Sequence, residues 1–157
     1  MRLQDHMIEV IERAREEVFR YALAVPEDKV EWKPLETGQS VLSMCRELAK
    51  TPDWAYYVLT GAQAENPETA AQGQKVGMES WKTVAECHKA CKVKLKRLFD
   101  LYHAMRDAQL SQTKWLPFNG GRDHSYAELL NYPRWNFTYH LGQIAYIQTL
   151  YGDRQHY

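Results

Sequence analysis

Apolar residues recur at steps of three and four along four stretches of the chain, which is the spacing of one buried helix face. The first stretch runs from about residue 3 to Ala24 and is stopped by Pro26. The second follows Ser40, the third begins at Ser80, and the fourth follows Ser125. The pattern therefore predicts four amphipathic helices whose outer faces are polar.

Individual residues mark where these helices should start and break. Ser40 is suited to cap the second helix, and Ser125 with Glu128 has the spacing of a capping box. Pro52 lies inside the second predicted helix and Pro133 inside the fourth. Because proline removes a backbone N–H and clashes with the preceding turn, we expect a kink or a restart at each.

No segment reads as a strand of any length. Residues 62–79 and the stretch around Pro117, Gly120 and Gly121 are predicted to be surface loops. The predicted fold class is all-α, a four-helix bundle, formed by a single domain over residues 1–157. The long links leave the order of the helices in the bundle open.

The charge balance narrows the classes of partner. Lysine plus arginine and aspartate plus glutamate number 20 each, so the formal net charge is zero and nucleic acid is not an expected partner. No apolar run approaches the roughly 20 residues that span a bilayer. The three cysteines suit a reducing compartment. We expect a cytoplasmic protein with no membrane partner, and the neutral, aromatic-rich chain favours a homodimer.

The last helix combines an apolar stripe with polar residues in the same register. The stripe consists of Ile144, Ile147, Leu150 and Tyr151. Steps of four towards the N-terminus meet His140 and then Asn136, and buried polar groups need partners. Gly142 is predicted to let a neighbouring helix come close. The beginning of this helix is therefore the predicted place for chemistry.

Three motifs, taken in order, carry a resemblance to a known family. Residues 25–34 read Val-Pro-Glu-Asp-Lys-Val-Glu-Trp-Lys-Pro, Ser40 opens the second helix, and residues 140–144 read His-Leu-Gly-Gln-Ile. In this order they resemble the DinB/YfiT-like superfamily of four-helix bundles over nearly the whole chain. The resemblance implies a divalent metal held by three histidines. It also implies thiol-dependent transfer or isomerisation, or metal-dependent hydrolysis.

The implied ligand positions are only partly histidines in this chain. His140 matches the last position, Asn136 stands where the preceding histidine is implied, and Glu47 stands two turns after Ser40, at the first. We predict an altered metal triad of Glu47, Asn136 and His140, with Glu47 and His140 as catalytic residues and nickel, zinc or manganese as the cofactor. The alternative is a buried Glu–His–Asn hydrogen-bond network without metal.

Two functions follow from this site. The first is a DinB-like metal-dependent enzyme, a transferase or hydrolase that acts on a small-molecule or thiol substrate. The second is a non-catalytic, metal-free DinB-like bundle that binds small molecules or dimerises. Elemental analysis and the variants Glu47→Ala and His140→Ala separate the two hypotheses.

Two further groups of residues have a structural and a functional interpretation. Cys87, His88 and Cys91, with Cys45 as a spare thiol, suit metal or redox chemistry, but buried free cysteines are common core residues. Several aromatic residues are expected either to line a pocket or to pack in the core or a dimer interface. These are Trp54, Tyr56, Tyr57, Trp115, Trp135, Phe137 and Tyr139.

Overall fold

The computed structural model describes residues 1–61, 80–117 and 120–157. Four long helices dominate this part of the chain, in agreement with the predicted bundle. The helices are α1 (Leu3–Leu23), α2 (Val41–Thr60), α3 (Val84–Ala104), the short α4 (Tyr126–Leu130) and α5 (Tyr132–Leu150). No helix in the described ranges is long and apolar enough to cross a membrane.

Side-chain caps fix where the helices begin. The Ser40 hydroxyl accepts a hydrogen bond from the Ser43 amide at 3.2 Å, as the sequence predicted. The third helix begins at Val84, so its predicted start at Ser80 is wrong. Thr83 and Glu86 form a capping box at this start, three residues after Ser80, and the box satisfies free backbone amides at the beginning of the helix.

α2 runs through Pro52 without a restart. Proline has no N–H to donate to the carbonyl four residues earlier, which belongs to Leu48. Cys91 on α3 lies with its Sγ 3.5 Å from that carbonyl oxygen and donates to it. A neighbouring helix thus supplies the donor that the proline removes, and this helps the helix to continue.

A short hairpin replaces the loop predicted around Pro117. β1 (Thr113–Leu116) pairs antiparallel with β2 (Arg122–Ser125). Gly120 and Gly121 both have positive φ, which favours glycine, and a Cβ at Gly121 would lie 2.6 Å from the Trp115 ring. The strands are short and mostly exposed, so they carry no apolar alternation from which they could be predicted.

The four long helices are not arranged in chain order. α1 packs mainly against α3 and α5, and α2 packs against the same two helices, so α1 and α2 are diagonal to each other. Contacts between Gln4 and Met105 and between Arg15 and His88 make α1 and α3 antiparallel. Contacts from Cys91 to Leu48 and from Lys94 to Asp53 make α2 and α3 parallel neighbours. The structure thereby decides a helix order that the sequence left open.

Candidate functional site

Two polar stripes face each other across α2 and α5, which run antiparallel. We call this set the α2–α5 seam. It consists of Glu47, Thr51 and Trp54 on α2 and of Tyr132, Asn136 and His140 on α5. Successive members on each helix are three or four residues apart and therefore share one face. The seam forms three contacts, in which each α2 residue meets one α5 residue.

The first contact joins the two residues predicted to be catalytic. His140 Nε2 lies 3.1 Å from Glu47 Oε1, although the residues are far apart in the sequence. The His140 side chain is 4% exposed, whereas the Glu47 side chain is 42% exposed. The structure thus brings the two side chains together and leaves the carboxylate accessible to solvent. Their catalytic roles remain a prediction.

The charge of Glu47 fixes the roles in this hydrogen bond. Its pKa is lowered, chiefly by the hydrogen bond with His140, and the side chains of Gln39 and Asn136 act in the same direction against the effect of burial. An ionised carboxylate can only accept, so Nε2 of His140 carries the donated proton. Nδ1 of His140 is buried and has no hydrogen-bond partner in the described part of the chain.

The second contact occupies the oxygen of Asn136. Thr51 Oγ1 lies 2.7 Å from Asn136 Oδ1 and donates to it, and both residues are buried. The same hydroxyl is 3.2 Å from the Glu47 carbonyl oxygen. Asn136 therefore presents its oxygen to Thr51 while its side chain helps to lower the pKa of Glu47. Thr51 is a member of the site that the sequence analysis missed.

The donor set does not fit the metal centre that the resemblance implies. Zinc and related ions take three or more histidine, cysteine or carboxylate ligands in protein sites. No group of three such residues that could hold a metal occurs within residues 1–61, 80–117 and 120–157. Glu47 and His140 are two donors, and the Asn136 oxygen already accepts from Thr51. The predicted third ligand is thus engaged elsewhere.

Aromatic rings continue the seam beyond its polar contacts. Trp54 and Tyr132 make the third contact, with ring centroids 4.1 Å apart. Burial and the negative charge of Glu47 raise the pKa of Tyr132 to about 12, so its hydroxyl stays protonated at neutral pH. Trp135 and Tyr139 stack at 5.5 Å, and the Tyr139 ring meets the His140 ring edge-on at 5.4 Å. Tyr132 is therefore close enough to Glu47 for the carboxylate charge to affect its pKa. The sequence analysis did not include Tyr132 among the site residues.

The second candidate group consists of three cysteines and His88 on α2 and α3. Cys45, Cys87 and Cys91 are free and buried, and burial raises the pKa of each thiol, that of Cys87 to about 11. His88 accepts from Arg15 at 2.6 Å, and burial and the Arg15 charge lower its pKa. These side chains are bonded or packed within the bundle, which favours the core interpretation.

A shallow depression of about 460 Å³ lies along α3, away from the seam. Trp81, Lys89, Val93 and Lys94 are among the residues that line it, and none of its lining residues belongs to the seam. The size of a surface depression does not by itself indicate chemistry, and the acid–base contact at its edge, between Lys94 and Asp53, involves a lysine rather than an imidazole. We therefore place the candidate site at the seam.

Comparison with known proteins supports the fold. No protein-family model matches the chain, and no curated protein matches it in sequence. The structure is similar to YfiT from Bacillus subtilis, described as a probable metal-dependent hydrolase with an unusual four-helix bundle topology. That match has a TM-score of 0.71 and 15% identity and covers 95% of this chain and 87% of YfiT.

Two further solved structures have the same architecture. A DinB-like protein from Bacillus subtilis matches with a TM-score of 0.63 and 13% identity, over 97% of this chain and 96% of its own. An uncharacterised protein from Escherichia coli UTI89 matches with a TM-score of 0.65 and 10% identity, over 97% and 96%. This chain thus has the DinB-like four-helix-bundle fold that the sequence resemblance predicted.

Proposed function

We propose that this protein is a small-molecule enzyme of the hydrolase or transferase type in which Glu47 accepts a proton and His140 holds and polarises the carboxylate. The observation that carries the proposal is the 3.1 Å contact between a buried imidazole and a carboxylate that is 42% exposed. A buried base could not reach a substrate, whereas the open side of Glu47 can.

The surroundings of Glu47 suit a carboxylate that is weakly basic until substrate arrives. In the free protein its pKa is lowered, so it is ionised at neutral pH but a poor base. A bound substrate that covers the exposed part of the Glu47 side chain removes water from the carboxylate, and loss of water raises the pKa of a carboxylate. Binding would therefore strengthen the base at the moment when a proton has to be taken.

The other members of the seam position this pair. Asn136 is held by Thr51, and both are buried, so the carboxamide is fixed beside Glu47. The protonated Tyr132 hydroxyl is a hydrogen-bond donor on the same stripe as Asn136 and His140. Together these groups offer one acceptor and one donor to a small polar substrate. The proposed chemistry uses no metal, because the donor set does not fit one.

A second candidate function is a non-catalytic module that binds small molecules. The observation that favours it is the run of rings from Trp54 through Tyr132 and Trp135 to Tyr139, with centroid distances of 4.1, 6.0 and 5.5 Å. Such rings bind planar or apolar ligands without any reaction. In this case Glu47 and His140 satisfy each other and orient the ligand only.

The proposal is tested by turnover of chromogenic esters, amides and thioesters, with and without a low-molecular-weight thiol. We expect Glu47→Gln to lower turnover by about 100-fold or more, since a general base contributes a factor of that order. Glu9→Gln, at an exposed glutamate of α1, is the matched control and should keep the wild-type rate. Turnover unchanged in Glu47→Gln contradicts the catalytic role, and ligand binding without turnover favours the second candidate.

Metal loading tests the metal-free chemistry separately. The purified protein is incubated with nickel, zinc or manganese, dialysed and analysed for bound metal. We expect less than one equivalent to remain, because only two strong donors converge. One retained equivalent that is lost in both Glu47→Gln and His140→Asn would contradict this part of the proposal.

A further inference from the structure

Two lysine side chains share one tryptophan ring at the edge of the depression along α3. Lys50 Nζ lies 5.6 Å from the centroid of the Trp81 ring, and Lys94 Nζ lies 4.8 Å from it. Lys50 belongs to α2 and Lys94 to α3. Trp81 is held against α2, because Arg46 Nε donates to its carbonyl oxygen at 2.8 Å. The ring thus gathers ammonium groups from two different helices at one place.

A single carboxylate of the described residues pairs with these two ammonium groups. Asp53 Oδ2 accepts from Lys94 Nζ at 2.7 Å, and the two side chains are only 23% and 22% exposed. Lys50 forms no salt bridge within residues 1–61, 80–117 and 120–157. Burial and the charge of Lys94 lower the pKa of Lys50, whereas Asp53 acts in the opposite direction. Two cations therefore share one anion.

This excess of positive charge indicates the chemistry of a ligand. Like charges repel each other, and the repulsion grows where water is partly excluded. An anion that contacts both ammonium groups relieves the repulsion and accepts a charge-assisted hydrogen bond from each. Lysine is a common phosphate ligand, with three N–H donors on a compact charge. The arrangement of Lys50 and Lys94 therefore favours an oxyanion such as a phosphate group.

The depression next to the lysine pair provides apolar surface. Its volume is about 460 Å³, and Trp81, Ala90 and Val93 are among its lining residues. Small-molecule sites commonly have volumes of roughly 300–1,000 Å³. The Val93 side chain is 66% exposed, so it is accessible to a ligand. A molecule in the depression meets an apolar wall close to the ammonium group of Lys94.

The remaining charged residues of the depression do not cancel its positive charge. Lys89 adds a further ammonium group. Glu86 supplies the one carboxylate among the described residues that line the depression, and its Oε2 accepts from the backbone amides of Lys82 and Thr83 at 2.6 and 3.1 Å. Because these amides at the start of α3 partly compensate its charge, Glu86 repels an anion less than a free carboxylate would.

We propose that Lys50 and Lys94 bind the phosphate group of a small organic phosphate, whose apolar part lies in the depression against Trp81 and Val93. The paired ammonium groups define the anionic end of the ligand, and the apolar wall defines the other end. The site shares no residue with the α2–α5 seam, so it is separate from the chemistry proposed for Glu47 and His140.

Calorimetric titration with phenyl phosphate at pH 7 and low ionic strength is the first test. The wild type should bind one equivalent. Lys50→Gln and Lys94→Gln should each weaken binding on the order of 10-fold, because each variant loses a charge-assisted hydrogen bond. Circular dichroism checks that the variants keep their helices. Lys50→Gln breaks no salt bridge of the described residues, so it tests the site even where Lys94→Gln disturbs Asp53.

Lys96→Gln is the matched control. It removes the same charge from α3, at a side chain that is 78% exposed and outside the lining of the depression. This variant should bind phenyl phosphate like the wild type. A wild type that binds no phenyl phosphate overturns the proposal. So does a Lys50→Gln variant that is folded and binds no more weakly than Lys96→Gln.

Inorganic phosphate tests the role of the depression separately. Phenyl phosphate should bind the wild type about 3- to 10-fold more tightly than inorganic phosphate, since its ring covers apolar surface. Val93→Ser should reduce this difference and leave the affinity for inorganic phosphate unchanged. Equal affinities of the wild type for the two compounds would show that the site takes free phosphate and would overturn the assignment of an organic phosphate.

Discussion

The carboxylate of Glu47 makes the stability of the protein depend on pH in one direction. Its pKa in the folded protein is lowered from the usual 4.5, so the His140 contact stabilises the fold above that pH and is lost as the pH falls. We expect Glu47→Gln to lower the free energy of unfolding by about 1 kcal/mol at pH 7, since water reaches the side chain. The deficit should be smaller at pH 3 than at pH 7.

Urea unfolding of the wild type and of Glu47→Gln at both pH values provides the measurement. Other carboxylates titrate in the same range, but they do so in both proteins, so the difference isolates Glu47. Glu9→Gln should remain close to the wild type at each pH. A deficit that grows on acidification would show that the sign of the pKa shift is wrong.

Thr51 holds Asn136 in place beside Glu47 by donating a hydrogen bond to its side-chain oxygen. Thr51→Val removes the hydroxyl that donates to Asn136 Oδ1 at 2.7 Å and leaves a buried oxygen without that donor. An unsatisfied buried acceptor costs about 1–3 kcal/mol, and chemical denaturation should detect a loss of this size. Thr60→Val, at an exposed residue near the end of α2, should change stability by less than about 0.5 kcal/mol. Equal effects of the two substitutions would contradict the role of Thr51.

The sequence could predict which residues share a face but not which atoms are already bonded. Helical spacing and the family resemblance together placed Glu47, Asn136 and His140 near one another, and the structure brings Glu47 and His140 into contact. Neither could show that Thr51 occupies the Asn136 oxygen. The four-residue step from Glu47 to Thr51 was a usable signal, because it repeats the step from Asn136 to His140.

Among the helices, α2 depends on a neighbour at Pro52: the Cys91 thiol of α3 donates to the Leu48 carbonyl that the proline leaves without a backbone donor. Cys91→Ala removes the donor to the Leu48 carbonyl as well as a buried sulfur atom, whereas Cys87→Ala removes a buried sulfur alone. We expect Cys91→Ala to cost about 0.5–1 kcal/mol more than Cys87→Ala, which is the size of a weak hydrogen bond. Thermal unfolding of the two variants measures the difference. Identical costs would show that the thiol contributes only volume.

The start of a helix could be predicted where one residue is suited to cap it, and could not be predicted where two nearby residues are equally suited. Ser40 and Ser125 act as caps at the predicted positions. Ser80 and Thr83 are both plausible caps by residue type, and the capping-box partner Glu86 decides in favour of Thr83. The hairpin of β1 and β2 was missed because pairing of exposed strands depends on backbone geometry rather than on an apolar pattern.

For the whole molecule, the homodimer expected from the sequence would couple stability to concentration. A native dimer that dissociates on unfolding is stabilised by mass action, so its melting temperature rises with protein concentration. We expect this rise for the wild type over a hundredfold range of concentration, measured by calorimetry. A wild-type melting temperature independent of concentration would argue against a dimer.

The diagonal placement of α1 and α2 has a kinetic consequence. Neighbouring helices come from distant parts of the chain: Tyr21 contacts Gln148, Gln4 contacts Met105, and Glu47 contacts His140. Folding slows as the sequence separation of contacts increases, because long loops must close before such contacts form. This bundle should therefore fold more slowly than an up-and-down bundle of equal length, and stopped-flow refolding would measure how much speed its topology removes.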